Sequence, residues 1–235
     1  MPELQKGQKT LEINGSEHHH IINVFRKRTG DKILLTNGKG LLAKCEITEI
    51  TKRLTKLRIC SIMEEKISQP TITVAFPLLK NKNDHLIIEK LTELGVKEFF
   101  PITSERSVRK ASQNTITKFE KTAISAIKQC DNAFLPKIHQ VQSLPELIKE
   151  LQKKEIIPLV SLEFGENNIL EDEDVDICLI IGPEGGFEQS EAEFLKENNA
   201  KFFTLGNHIL RAETAAITAV SQMLALRLAK DKMYY

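Results

Sequence analysis

No stretch of this 235-residue chain reaches the ~18 consecutive apolar residues that a membrane helix needs. The longest apolar stretch, around Val175 to Ile181 and interrupted by Asp176, has the length of a strand. The opening residues, MPELQKGQKT, carry no apolar core of a signal peptide. Cysteine is sparse. Cys45, Cys60, Cys130 and Cys178 are widely separated and form no CxxC pair, so neither a zinc site nor a disulfide framework is expected. The cytoplasm is the expected compartment. Internal repeats, low-complexity tracts, a GxGxxG fingerprint, a GK[ST] phosphate loop and a legible Ser-His-Asp arrangement are also missing. What is present is ordinary for a folded protein: 41% hydrophobic and 28% charged residues, which excludes a wholly disordered chain. The length allows one large domain or two small ones.

The formal net charge of +1 hides an asymmetry. Residues 1–70 carry 13 Lys+Arg against 8 Asp+Glu, whereas residues 156–235 carry 6 against 14. A basic front and an acidic back are compatible with a polyanionic partner for the N-terminal part, or simply with unevenly spread solvated charge.

The first ~70 residues read as β-rich with one helix. Ser16 is the expected N-cap of a helix to about Arg26, with Ile21, Ile22, Val24 and Phe25 as its apolar surface. Strands are expected at Lys32–Thr36, Leu41–Ile50 and Leu54–Met63, with a turn at Asn37-Gly38-Lys39-Gly40. Ser68-Gln69-Pro70 reads as a linker, which divides the chain into residues 1–69 and 70–235. Beyond it the pattern alternates. Strands are expected at Thr71–Phe76, Phe99–Ile102, Ile156–Leu162, Val175–Ile181 and Lys201–Leu205. Helices are expected from Asp84 to Gly95, with Leu86, Ile87, Leu91 and Leu94 as the buried face, and at Thr115–Gln129, Ser143–Gln152, Ser190–Asn198 and Ala212–Ala229. Such alternation predicts an α/β fold with a mostly parallel sheet covered on both faces. Gly165–Asp174, polar and acidic, is expected to be a surface loop.

Two strand ends carry the chemistry-bearing residues. Ile181-Gly182-Pro183-Glu184-Gly185-Gly186-Phe187 follows a buried strand and precedes a helix, where open α/β sheets bind ligands. Its glycines let the backbone approach a ligand closely; alternatively it is only a tight turn. Leu205-Gly206-Asn207-His208-Ile209-Leu210-Arg211-Ala212-Glu213-Thr214-Ala215 also ends a strand and opens a helix, so the two loops should converge. Glu213 there could equally be capping the helix N-terminus. His18-His19-His20 does not make a metal site, because consecutive helical residues point about 100° apart. No metal is expected. His85, His139 and His208 stand alone in the sequence.

The GPEGGF and LG-x-x-ILRAETA pair resembles the SPOUT class of S-adenosylmethionine-dependent RNA methyltransferases, and in particular the RsmE family, which methylates N3 of a uridine near the decoding site of 16S ribosomal RNA. The resemblance runs along nearly the whole chain. Glu89-Lys90-Leu91-Thr92-Glu93-Leu94-Gly95-Val96 is similar to the family's K-x-TELGV helix, and Pro101 through Ser104-Glu105-Arg106-Ser107 to its P-x-x-SERS strand end. His19-His20, Val24-Phe25-Arg26, Gly30-Asp31 and Asn37-Gly38-Lys39-Gly40 are similar to its PUA-like N-terminal domain. The family reads EQSGR where this chain has Lys128-Gln129-Cys130-Asp131-Asn132, so an expected Glu is Lys and an expected Arg is Asn.

The resemblance implies a PUA-like β-barrel over residues 1–69, a SPOUT domain with a C-terminal trefoil knot over 70–235, a homodimer, and no membrane partner. It implies S-adenosyl-L-methionine bound by Leu162, Gly182, Glu184, Gly185, Gly186, Leu205, Gly206, Ile209, Leu210 and Thr214. Glu184 and Glu213 become candidate bases for the uridine N3 proton, and Arg211 a candidate stabiliser of the anionic ring. Arg26, Arg28, Lys32 and Lys39, with Arg53 and Arg58, are expected on RNA phosphates, and Arg106 and Arg109 facing the target. Two alternatives stay open: a SPOUT enzyme acting on transfer RNA or large-subunit RNA, and a non-enzymatic RNA-binding ribosome-assembly factor with a degenerate cofactor pocket.

Overall fold

The computed structural model describes residues 3–107, 109–162 and 174–233. The chain divides into two compact units, Met1–Ile67 with Ile127–Leu135, and Ser68–Ala126 with Pro136–Tyr235.

In the first unit, β1 (Thr10–Asn14), β2 (Lys32–Thr36), β3 (Leu41–Ile50) and β4 (Leu54–Glu64) form one antiparallel sheet in the order β1-β4-β3-β2. Strict alternation drives it: Leu11 and Ile13 of β1 face inward while Thr10, Glu12 and Asn14 face out. They pack with Leu41, Ala43, Cys45, Ile47 and Leu57. Strand β1 is not among the expected elements, although its five residues alternate cleanly.

The helix after β1 differs from expectation. Asn14, still paired with Leu54, stands at the cap position, and Gly15 turns the chain with φ +59°. Helix α1 (Gly15–His19) therefore starts ahead of Ser16, and it runs into a single π-helical turn, His20–Val24. Arg26, at φ +52°, lies outside the helix. The three histidines diverge. His18 is buried and bonded to Thr55 Oγ1 at 2.8 Å, His19 takes a hydrogen bond from Asn23 Nδ2 at 2.8 Å, and His20 meets the Phe25 ring edge-on at 4.7 Å.

The turn between β2 and β3 is shaped by the returning segment 127–135. Gly40 N donates to Ala133 O at 2.9 Å, and Leu135 N to Gly38 O at 2.9 Å. A Cβ on Gly40 would stand 2.9 Å from the Phe134 ring and 3.0 Å from Glu65 O, at a φ of +101°. Only glycine fits there.

The second unit holds β5 (Ile72–Pro77), α2 (Asn83–Glu93), β6 (Glu98–Thr103), α3 (Thr115–Gln129) as far as Ala126, β7 (Lys137–Ile138), β8 (Gln142–Ser143), α4 (Leu144–Lys153), β9 (Ile157–Ser161), β10 (Ile177–Ile181), α5 (Gln189–Glu197), β11 (Lys201–Phe203) and α6 (Ala212–Met233). The sheet is seven-stranded, ordered β11-β9-β10-β5-β6-β7 with β8 also on β6, and every pairing is parallel. Its strands are buried on both faces. Ile177, Leu179 and Ile181 of β10 enter one core with Ile87, Phe119 and Val220 from α2, α3 and α6. The alternate residues Cys178 and Ile180 enter another with Leu147, Leu151 and Leu195 from α4 and α5. That two-sided cover explains the continuous apolar runs.

Some boundaries shift. Val175 precedes β10 and is 37% exposed, and Leu162 and Leu205 lie just past their strands. On α2 the buried stripe is Ile87, Ile88 and Leu91, with Leu86 turned out at 38% exposure. Ser143 caps α4 by accepting from Glu146 N while Glu146 accepts from Ser143 N, and Pro145 sits in the first turn. Of Gly165–Asp174, only Asp174 falls within the described residues.

Candidate active site

Parallel pairing sets the C-terminal ends of β11, β9 and β10 side by side. Leu162 N donates to Phe203 O at 3.0 Å, which extends the β9–β11 ladder past its last strand residue. The chain leaves β10 at Gly182 and folds back at once, with Gly186 N donating to Pro183 O at 2.9 Å. Gly186 has φ +70°, a region that side chains disfavour. A Cβ on Gly182 would lie 3.2 Å from the Phe187 ring. Gly186 is therefore favoured by its backbone conformation, and Gly182 by the close approach of the Phe187 ring. Beyond β11, the Leu205–Arg211 segment runs along the same edge to the start of α6.

The two loops enclose an open cleft of about 230 Å³. It brings together Leu162, Gly182, Gly185, Gly186, Leu205, Gly206 and Leu210, as the sequence predicted. Glu184, Ile209 and Thr214 are exposed and do not line it. Ser161 joins the lining from outside the two motifs, and Ile181, Pro183, Phe187, His208, Ala212 and Ala215 from inside them, none being among the expected cofactor-binding residues. Arg106 lines it as well. Arg211 is exposed at the head of α6. Glu213, in the first turn of α6, is only 8% exposed, and its Oε2 is buried without a hydrogen-bond partner among the described residues; neither it nor Arg211 lines the cleft. A lining of apolar side chains interspersed with polar surface suits a small amphipathic molecule.

Two family models match: the RNA methyltransferase domain over residues 66–224 and the RNA methyltransferase PUA domain over residues 13–60. Ribosomal RNA small subunit methyltransferase E of Bacillus subtilis is 31% identical over 226 residues, covering 90% of this chain and 88% of the relative. The crystal structure of the Neisseria gonorrhoeae protein of the same name, bound to S-adenosyl methionine, superposes with a TM-score of 0.87 at 26% identity, covering 96% of this chain and 95% of that one. A Legionella pneumophila putative methyltransferase in complex with the cofactor SAM superposes at 0.85 with 29% identity, covering 95% and 94%. The chain belongs to the ribosomal RNA small subunit methyltransferase E family.

Within this family member, the cations assigned to RNA separate into two kinds. Arg26, Arg28, Lys32 and Lys39 are all exposed on the first unit. Arg109 is instead engaged internally. Its guanidinium donates to the fully buried Asp84 carboxylate, and at 3.4 Å to Leu79 O. Burial pushes the Asp84 carboxyl up, and the charges of Arg109 and His85 only partly offset this. Arg106 also faces protein, donating to Gly185 O at 2.6 Å and to Glu188 at 2.7 and 3.0 Å.

The stretch that departs from the family pattern is used structurally. Lys128 forms an ion pair with Glu17 at 2.6 Å, and Asn132 Oδ1 accepts from Phe134 N at 2.8 Å. The altered residues are thus partnered within the first unit.

Glu98, His139 and Glu150 present ligand atoms within 4.8 Å of one another. Lys154 Nζ already lies 2.8 Å from Glu98 Oε2 and 3.0 Å from Glu150 Oε1, so an ammonium supplies the positive charge. The His139 hydrogen bond, aided by Lys154, draws the Glu98 carboxyl down to about 2 against the cost of burial.

Proposed function

We propose that this chain is an S-adenosylmethionine-dependent methyltransferase that methylates N3 of a uridine in small-subunit (16S) ribosomal RNA, acting in the cytoplasm as a homodimer whose C-terminal path is knotted. The observation that carries the reading is the cleft at three adjacent strand ends, built from the glycine-rich loop and the Leu205–Arg211 segment in a chain of this family.

The residues present fit the cofactor. Leu162, Leu205, Leu210, Ala212 and Ala215 offer apolar surface to an adenosine, and the glycines leave the backbone open to it, Gly182 at a point where a Cβ would crowd Phe187. When bound, S-adenosylmethionine supplies a methyl group on a positively charged sulfonium, whose charge disperses as the methyl departs.

No oxyanion hole is therefore required of the protein. Its tasks are to align N3 with the methyl carbon, to exclude water and to remove the N3 proton. Glu213 suits the last task, since its buried Oε2 has no competing donor among the described residues. Glu184, exposed on the glycine-rich loop, is the second candidate. Arg211 is placed by sequence beside Glu213 and would offset negative charge on the uracil ring. The exposed cations Arg26, Arg28, Lys32 and Lys39 would hold phosphates and set register.

The deciding experiment is methyl transfer from labelled S-adenosylmethionine to small subunits from cells lacking this gene, with the product nucleoside identified. N3-methyluridine at one position is expected. Transfer only to transfer RNA or large-subunit RNA would overturn the substrate, and failure to bind the cofactor would overturn the enzyme reading.

A further inference from the structure

The turn after β6 and the glycine-rich loop after β10 are far apart in sequence, yet they are laced together. The turn is folded on itself, with Ser104 N donating to Ser107 Oγ at 3.0 Å. Next to it, Glu105 N donates to Glu191 Oε1 at 3.0 Å, and the other oxygen of that carboxylate accepts from Glu188 N at 2.9 Å. Arg106 completes the bracing. Its Nε and Nη2 grip the two oxygens of Glu188 at 2.7 and 3.0 Å, while Nη1 donates to Gly185 O at 2.6 Å. Its aliphatic stem runs along the loop, with Cδ 3.4 Å from where a Gly185 Cβ would project.

A bidentate arginine–carboxylate pair fixes the plane of the guanidinium, so Nη1 is aimed rather than free to swing. Here it is aimed at a carbonyl in the middle of a loop that has glycine at 182, 185 and 186. Glycine-rich backbone loses much conformational freedom on ordering, and a ligand that must order it binds more weakly. A brace at the wall of the cleft removes that cost in advance. The sequence assigned Arg106 to the RNA target; three of its N–H groups are taken by Glu188 and Gly185, and a phosphate would have to compete for them.

We propose that Arg106 is a positioning residue: clamped by Glu188, it holds the Gly185 carbonyl and so keeps the Pro183–Phe187 backbone in the shape that receives the cofactor. The proposal rests on the reading of this cleft as the cofactor site. An exposed ion pair contributes little to global stability, so a purely surface role would leave the loop and the cofactor unaffected.

The test compares Arg106→Ala, Arg106→Lys and Glu188→Gln with the parent protein. Amide hydrogen exchange over 183–187, measured on the protein alone, is expected to speed up in all three. Affinity for S-adenosylmethionine by calorimetry is expected to fall about tenfold in Arg106→Ala, and comparably in Arg106→Lys, which keeps the charge and loses the fork. The salt dependence of RNA binding should not move. The opposite pattern overturns the proposal: unchanged exchange and cofactor affinity, with an RNA salt slope reduced by about one and restored by lysine. If Arg106→Ala does not fold, Glu188→Gln carries the same comparison. If the parent protein binds no S-adenosylmethionine, the cofactor reading fails, and loop exchange alone decides whether Arg106 braces the loop.

Discussion

Glu213 Oε2 is buried and has no hydrogen-bond partner among the described residues, so the burial of that atom is uncompensated. Glu213→Gln is therefore expected to leave the melting temperature unchanged or raised and cofactor affinity intact, while kcat drops by roughly two orders of magnitude. Single-turnover methyl transfer reads this directly. Full turnover in both Glu213→Gln and Glu184→Gln would rule out a carboxylate base. Gly186→Ala forces a side chain into φ +70° and should cost about 1 kcal/mol of stability along with weaker cofactor binding, seen in thermal melts with and without ligand. Arg109→Ala strands the buried Asp84 and should destabilise by about 3 kcal/mol. Because burial already raises the Asp84 carboxyl, that loss should deepen as pH rises and the group ionises, and Arg109→Ala/Asp84→Asn should recover part of it. A stable Arg109→Ala variant with impaired RNA binding would return Arg109 to the RNA surface. These residues also mark the limit of reading motifs. Arg106 and Arg109 follow a strand end, which is where target-facing cations belong. Only the folded chain reveals that Glu188, Gly185 and Asp84 have taken up their donors.

At the level of elements, the contact between β6 and α4 offers the clearest acid response. Glu98 is held by His139 at 2.6 Å and Lys154 at 2.8 Å, while Phe100 stacks on the His139 ring at 4.1 Å. Its carboxyl falls from 4.5 to about 2, so its contribution to stability is complete above about pH 4.5 and disappears as the pH drops toward 2. That contribution is roughly 3 kcal/mol. Urea melts across this range should show a steep loss in the parent protein and a shallower one in Glu98→Gln. The long elements here were legible because burial writes a period into sequence: α3 runs Thr115–Gln129 as its apolar spacing predicts, and β10 is buried at every residue. The misreadings have local causes. Gly15 turns the chain before Ser16 can cap, and on α2 a helical stripe identifies a buried side without saying that its Leu86 edge stays uncovered.

For the whole molecule, the excess of cations in residues 1–70 against the excess of acids in 156–235 predicts that RNA affinity falls steeply with added salt. Filter binding between about 50 and 200 mM salt checks this; a flat response would remove the phosphate-tracking role of Arg26, Arg28, Lys32 and Lys39. The alternation of strands and helices disclosed the parallel sheet, and motif spacing disclosed the cleft. The association of Ile127–Leu135 with the N-terminal unit stayed hidden, since hydrogen bonds such as Gly40 N to Ala133 O join residues that no local pattern connects.

That association has a bearing on ancestry and on engineering. The N-terminal unit is written in two separate stretches of the coding sequence, the second enclosed within the other unit's text. A single crossover at the linker would deliver a sheet whose β2–β3 turn lacks the strip bearing Phe134, against which Gly40 is shaped. The two halves of this enzyme are thus inherited as a matched pair. Anyone grafting its RNA-reading half onto another catalyst must carry a nine-residue piece from inside the donor's other half.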